Sequence, residues 1–288
     1  MRVSYSFFGI LTSIFGGIII LVCSILYYLA EPFDFFSTWI SDLGGVKTNS
    51  GKSPNGSNII FSAGLILLTI FSIPFIFYLA KYLLSRNQKL KFLIYLSVIS
   101  SIITYVGVIG VSIVDIKTSP FVHTYFATLF FFGGMTIMLF FSLSMFFNRD
   151  IPRRQALFSL FCSIIPMIFI LTFMPYAIQG ENVFLLVVST DPKLGITRFL
   201  EWMYLFAFFS WFFETGIYTF HSSSKKKTRL LGMIKTTKKF DLIEASEELG
   251  MPVKEIKNAM LELAAKGKIN GKFVDINTFQ EEGVNIIT

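Results

Sequence analysis

Six stretches of the chain are apolar for long enough to cross the ~30 Å hydrocarbon layer of a bilayer as helices. They are residues 7–30, 58–84, 92–114, 122–147, 156–177 and 197–220. Backbone amides find no water in lipid, so a spanning segment must satisfy them internally, as a helix does. Only 15% of the 288 residues are charged, against about 25% in soluble domains. The expectation is an all-α membrane protein, a six-transmembrane-helix bundle over residues 1–220. The first run exceeds the ~7–15 residues of a signal-peptide core and has no Ala-x-Ala before Glu31, so it reads as a retained span.

Lysine and arginine set the orientation. With the N-terminus inside, the inner segments carry eleven basic residues between Arg2 and Arg229, and the outer loops carry four: Lys47, Lys52, Lys117 and Lys193. A multi-pass protein of the cell membrane with both termini cytosolic is expected. Cys23 and Cys162 then lie in opposite leaflets, too far apart for a disulfide, and read as buried thiols. Pro74, Pro166 and Pro175 interrupt helical hydrogen bonding within spans. Residues 183–188 are apolar yet too short to span, and read as a loop packed on headgroups or as a re-entrant segment.

The first outer loop and the helix after it, Phe36 to Leu67, place polar and small residues between two apolar runs. Around them lie ionisable residues at or near the outer ends of the spans. Ser41 and Asp42 sit on the loop, Asp115 ends the third span, His123 begins the fourth, and Arg198 and Glu201 open the sixth. Ionisable groups at membrane depth are costly and frequently functional. These six residues form the candidate outer-face polar site; the alternative is that each meets water or headgroups separately. Arg198 and Glu201, three apart on one helix face, are also placed to pair. Glu214 lies toward the inner end of the last span without an assigned role, and His221 is read as a cation at that helix's C-terminus.

From residue 221 the pattern changes. Residues 221–227 read as a basic linker, and residues 228–288 as a cytosolic winged-helix-like domain. A helix around 227–236 comes first. Asp241 and Glu244 then make a capping box. Val253, Ile256, Met260 and Leu263 recur at helical spacing after Pro252, and Gly267 closes that helix. Residues 268–276 read as extended chain with an Asn270-Gly271 hairpin turn. Helix, helix, helix, strand is a winged helix-turn-helix order, and it resembles the winged-helix part of PCI-type modules. From Phe240 onward there are five lysines and nine acids. Binding to nucleic acid draws on phosphate neutralisation, so the expected partner of residues 240–288 is a cytosolic protein and not nucleic acid. The run from Lys225 to Lys239 holds seven basic residues. It reads either as attraction to anionic headgroups or as the ordinary inside signal.

No Gly-x-Ser-x-Gly, His-Glu-x-x-His or phosphate-binding Gly-rich loop occurs. One histidine with scattered carboxylates does not make a metal site, and no cofactor is expected. Asn55-Gly56-Ser57 fits a glycosylation sequon but abuts the second span.

Ile40-Ser41-Asp42-Leu43-Gly44, Pro54-Asn55-Gly56 and Ile60 to Leu65 together resemble the domain-of-unknown-function 998 family of six-helix membrane proteins. So do His123 to Ala127, Phe131 to Gly134, and Gly195 to Arg198. The resemblance covers about residues 7–220, with Ser-Asp-Leu-Gly its most specific part. The loop from Gly45 to Ser53 is longer than the family pattern, and the C-terminal module is an addition. The family looks related to DRAM-like proteins. The resemblance implies a six-helix bundle with the Asp42 and His123 segments on one face, and little chemistry.

Three functional readings follow. The first is a lipid-interacting or membrane-organising protein whose partners are membrane lipids, with Arg198 as the phosphate ligand. The second is a membrane-tethered adaptor that binds a cytosolic protein through residues 240–288. The third is a membrane hydrolase or transferase with Asp42 and His123 as acid and base.

Overall fold

A computed structural model describes residues 5–32, 34–177, 193–237, 239–249, 251 and 253–281. The apolar segment 183–188 lies outside the described residues. The chain divides into two compact units, Met1–Ile217 and Tyr218–Thr288.

The first unit is helical. Helices α1 (Tyr5–Ala30), α2 (Ser57–Leu84), α3 (Lys91–Ile113), α4 (Pro120–Phe146) and α5 (Arg153–Ala177) follow one another, with a short 3₁₀ turn at Ile40–Gly44. All five helices are long and apolar enough to cross a membrane, which marks a multi-pass membrane protein. Their outward faces expose large apolar side chains such as Leu21, Ile25, Ile70, Tyr95, Phe161 and Leu171. Helix α6 (Lys193–Thr236) begins in this unit. It buries Trp202, Tyr204, Leu205, Phe208, Trp211 and Phe212, which together cover about half of its circumference. Its Trp, Tyr and Glu residues make it less apolar than the other five. Buried inside the bundle, they find partners there: Tyr204 Oη donates to Phe131 O at 3.1 Å and Trp211 Nε1 to Ser142 Oγ at 3.3 Å.

Small residues let the helices approach. α3 buries Ser97, Ser100, Ser101, Thr104 and Gly107, the composition expected where apolar burial cannot drive helix association. A Cβ on Gly107 would overlap the backbone nitrogen of Phe130 on α4 and lie 2.8 Å from Phe126 O. By contrast, nothing lies within 4 Å of a Cβ built on Gly17 of α1.

The second unit holds the end of α6, strand β1 (Lys239–Asp241), helices α7 (Leu242–Leu249) and α8 (Val253–Ala265), and strands β2 (Gly271–Phe273) and β3 (Thr278–Glu281). The antiparallel sheet has the order β1-β3-β2. Leu230 and Ile234 of α6, Leu242 and Leu249 of α7, and Ile256, Met260 and Leu263 of α8 share a core with Phe240 and Phe279. The Asp241 carboxylate caps α7, accepting from Ile243 N at 2.6 Å and Glu244 N at 3.3 Å. Gly267, at φ 64°, ends α8. Its N–H reaches Ala264 O, and Lys268 N reaches Leu263 O, the pair of bonds of a Schellman stop.

Three expectations for this region change. Residues 221–227, expected as a basic linker, are helical: α6 runs through them to Thr236. Lysine and serine cost little in a helix, and burial of Leu230 and Ile234 holds the far end. His221 consequently lies within the helix and not at its terminus. The hairpin turns at residues 274–277 and not at Asn270-Gly271, because Gly271 already pairs with Glu281. The turn is fixed by Val274 N to Thr278 O and by Asn277 N to the Asp275 carboxylate.

Two members of the basic run are spent inside this unit. Lys227 Nζ lies 2.6 Å from Glu262 Oε2, and Arg229 pairs with Glu248 at 3.3 Å. Hydrogen bonds from Lys227 and then Lys266 hold the Glu262 carboxyl below its ordinary 4.5, against a smaller effect of burial. A carboxyl lowered on folding adds stability above its unfolded value and loses it as pH falls through the folded value. The protection of α8 amides, relative to their intrinsic exchange at each pH, is therefore expected to fall below about pH 4.5, and less steeply in Glu262→Gln.

Candidate functional site

The site is built on the connection between α1 and α2. Pro54-Asn55-Gly56 supplies its turn. Asn55 has φ 54° and Gly56 φ 86°, with Ser57 N bonded to Pro54 O; two left-handed residues in sequence give a type I′ turn, which favours Asn-Gly. Ser57 is fully buried at the start of α2, and its hydroxyl donates to Leu43 O at 2.6 Å. The sequon's serine is thus packed inside the protein. Leu43 is itself fully buried, and a Cβ on Gly44 would lie 2.5 Å from the Phe61 ring. The Ser-Asp-Leu-Gly segment is in this way locked to α2.

Three carboxylates from separate parts of the chain bind the backbone of this loop. Asp42 Oδ2 accepts from Trp39 N at 2.9 Å, Glu201 Oε2 from Ile40 N at 2.8 Å, and Asp115 Oδ1 from Val46 N at 3.2 Å. Asp42 and Glu201 are 1% and 3% exposed. Helix α6 adds two further contacts. Trp202 Nε1 donates to Thr38 O at 3.0 Å, and the Arg198 guanidinium lies 5.3 Å over the Trp39 ring while donating to Phe36 O at 3.5 Å. The loop end toward α1 is tied too: Glu31 Oε2 accepts from Ser50 N at 2.8 Å and Ser50 Oγ at 2.7 Å.

Lys117 completes the arrangement. Its Nζ lies 3.4 Å from Asp42 Oδ1 and donates to Asn49 Oδ1 at 2.5 Å. Burial pushes the Asp42 carboxyl above the usual range, opposed by the charge of Lys117. Glu31 goes the other way: burial would raise its carboxyl, but hydrogen bonds from Thr48 and Ser50 and the charge of Lys52 hold it low.

Of the six residues expected here, Asp42, Arg198 and Glu201 meet around Trp39 and Ile40. Asp115 joins through Val46, and its carboxylate also accepts from Thr118 N at 3.0 Å. His123 stands beside Asp115 but turns to the backbone, with Nδ1 2.6 Å from Val114 O. A carbonyl only accepts, so Nδ1 carries the proton, and among the described residues the buried Nε2 meets no hydrogen-bond partner. Ser41 is half-buried beside them. Lys117, Trp39 and Trp202 were missed in the sequence. Lys117 stood out only as an outer-loop charge, though it lies two residues from Asp115.

Chemically, the three carboxylates act as a latch on the backbone of the loop. One oxygen of each carboxylate accepts a backbone N–H of the loop, and the Asp42 and His123 side chains are both buried. Among the described residues, no three His, Cys, Asp or Glu side chains gather in a way that could hold a metal ion. A cavity of about 40 Å³ lies elsewhere, among α1, α2, α3, α4 and α6, lined by Thr12, Thr69, Ser72, Thr104, Tyr105 and Phe208 among others. That is more than the ~10–15 Å³ that one water needs on the same measure. No family model, curated protein or solved structure matches the chain.

The contact from Trp202 to Thr38 gives a clean test. Trp202→Phe keeps the buried ring but leaves Thr38 O without this donor. A loss of about 1 kcal/mol is expected, read from thermal unfolding in detergent.

Proposed function

We propose that the protein is a membrane-anchored adaptor whose C-terminal unit docks a cytosolic protein. The observation that supports this most is that residues 218–281 build a core of their own around Phe240, Ile256 and Leu263, on the far end of a helix that begins in the membrane unit. In this reading α6 is the sixth span, sheltered by the other five. Both termini are cytosolic, and the module is a winged helix with β2–β3 as its wing. The resemblance to the domain-of-unknown-function 998 family is kept as the proposed origin of the membrane unit. The polar cluster on the α1–α2 loop then serves to hold the anchor together. Reading it as a headgroup site has less support, because Arg198 is only 4% exposed and lies over Trp39. A membrane hydrolase has less support because each carboxylate holds a backbone N–H of the loop.

Proximity labelling in cells tests the proposal. The labelling enzyme is fused to the N-terminus, and the full chain is compared with a chain ending at residue 239, at matched expression. Loss of a set of cytosolic neighbours on truncation is expected. An unchanged neighbour profile would overturn the adaptor reading.

A further inference from the structure

At one end of the small sheet, apolar side chains stand in the open. The turn between β2 and β3 carries Val274 at 52% and Ile276 at 79% exposure, and Ile243 at the start of α7 is 48% exposed. They belong to one surface. Leu242 N donates to Asn277 O at 2.8 Å, and Asp241 pairs across the sheet with Thr278, which brings the start of α7 against the hairpin turn. Phe273 packs its edge on the buried Phe279 at 5.3 Å and stays partly exposed. Hairpin turns favour Gly, Asn and Asp; here Asp275 and Asn277 meet that preference, while Val274 and Ile276 at the other two positions stand in the open.

The charge around these residues is acidic. Asp241 at the end of β1, Glu244 and Glu247 on α7 and Asp275 on the turn are exposed, and Lys272 lies on the adjoining strand β2. Glu247 is four residues from Ile243 and so shares its helix face. Such a rim is repelled by an anionic leaflet and by nucleic acid, and attracts a basic polypeptide.

We infer that the surface formed by Ile243, Val274 and Ile276 binds a basic amphipathic segment of a protein partner, with apolar side chains on the patch and Lys or Arg against Asp241, Glu244, Glu247 and Asp275. This rests on the adaptor reading and names the surface and chemistry it would use.

The probe is a fluorescent amphipathic peptide of leucine and lysine, about four helical turns long, titrated against the full chain in phosphatidylcholine nanodiscs. A leucine–glutamate peptide and empty nanodiscs serve as controls. Binding by the lysine peptide alone is expected, with affinity falling at least about tenfold in Val274→Ser/Ile276→Ser. Leu261→Ser, an exposed residue of α8, should leave it unchanged. All replaced residues are exposed, and circular dichroism checks that the variants stay folded. If binding is lost on truncation after residue 239 yet survives the double serine variant, the assigned surface is wrong and the adaptor reading stands. Binding that survives truncation removes the support for both. A polarity-sensitive dye on Ile276→Cys that is quenched by doxyl-lipids without peptide would show the turn covered by the bilayer, and would overturn the inference.

Discussion

Gly107→Val is expected to abolish the folded membrane unit. The new side chain would start inside the backbone of α4, overlapping Phe130 N and crowding Phe126 O. Overpacking against side chains costs about 1–3 kcal/mol because rotamers can shift. Here the obstacle is main chain within a helix, so α3 and α4 must separate along a face of small residues matched for close approach, including Ser100 and Thr104. A loss above about 3 kcal/mol follows. The readout is the monodisperse fraction on size exclusion in mild detergent: near zero for Gly107→Val and unchanged for Gly17→Ala, whose Cβ meets nothing. Equal yields of the two variants would show that α3 and α4 are not packed this closely.

Asp42→Ala should be the most damaging change in the polar cluster. It leaves the Trp39 N–H without its acceptor and Lys117 without its carboxylate. Removing one partner of a buried ion pair costs about 3–5 kcal/mol. Lys117 is 21% exposed and can regain some water, which places the loss near the lower end, about 3 kcal/mol. Asp42→Asn keeps an oxygen for Trp39 N–H and gives up only the charge, so it should cost about 1–2 kcal/mol. A double-mutant cycle with Lys117→Met separates the ion pair from the backbone bond, with a coupling of about 1 kcal/mol or more expected.

The five helices were legible because each is a long uncharged run, and lipid leaves such runs one backbone solution. Helix α6 was legible as apolar but not in its extent. Ser222 to Lys227 look like a linker in sequence, and only the burial of Leu230 and Ile234 shows why the helix persists. In the small unit, the Asp241 cap and the Gly267 stop were readable because each acts within four residues. The hairpin turn was misplaced because Asn270-Gly271 carries the local turn signal, while the pairing of Phe273 with Phe279 decides the register. The polar cluster was found as a set of residue types but not as a mechanism. Costly polar residues at the end of an apolar bundle suggest chemistry; that Asp42, Asp115 and Glu201 each seek a backbone N–H of one loop depends on long-range geometry. Glu201 and Ile40 are 161 residues apart.

The latch is tested most directly by amide hydrogen exchange at Trp39, Ile40 and Val46 in the full chain in nanodiscs, with Glu201→Leu alongside. Slow exchange at all three in the wild type is expected, with acceleration in Glu201→Leu greatest at Ile40, which loses its acceptor, and smallest at Val46, whose bond to Asp115 remains. Rapid exchange at these amides in the wild type, or no change at Ile40 in the variant, would contradict a loop held by carboxylates and return the polar cluster to the status of an open site.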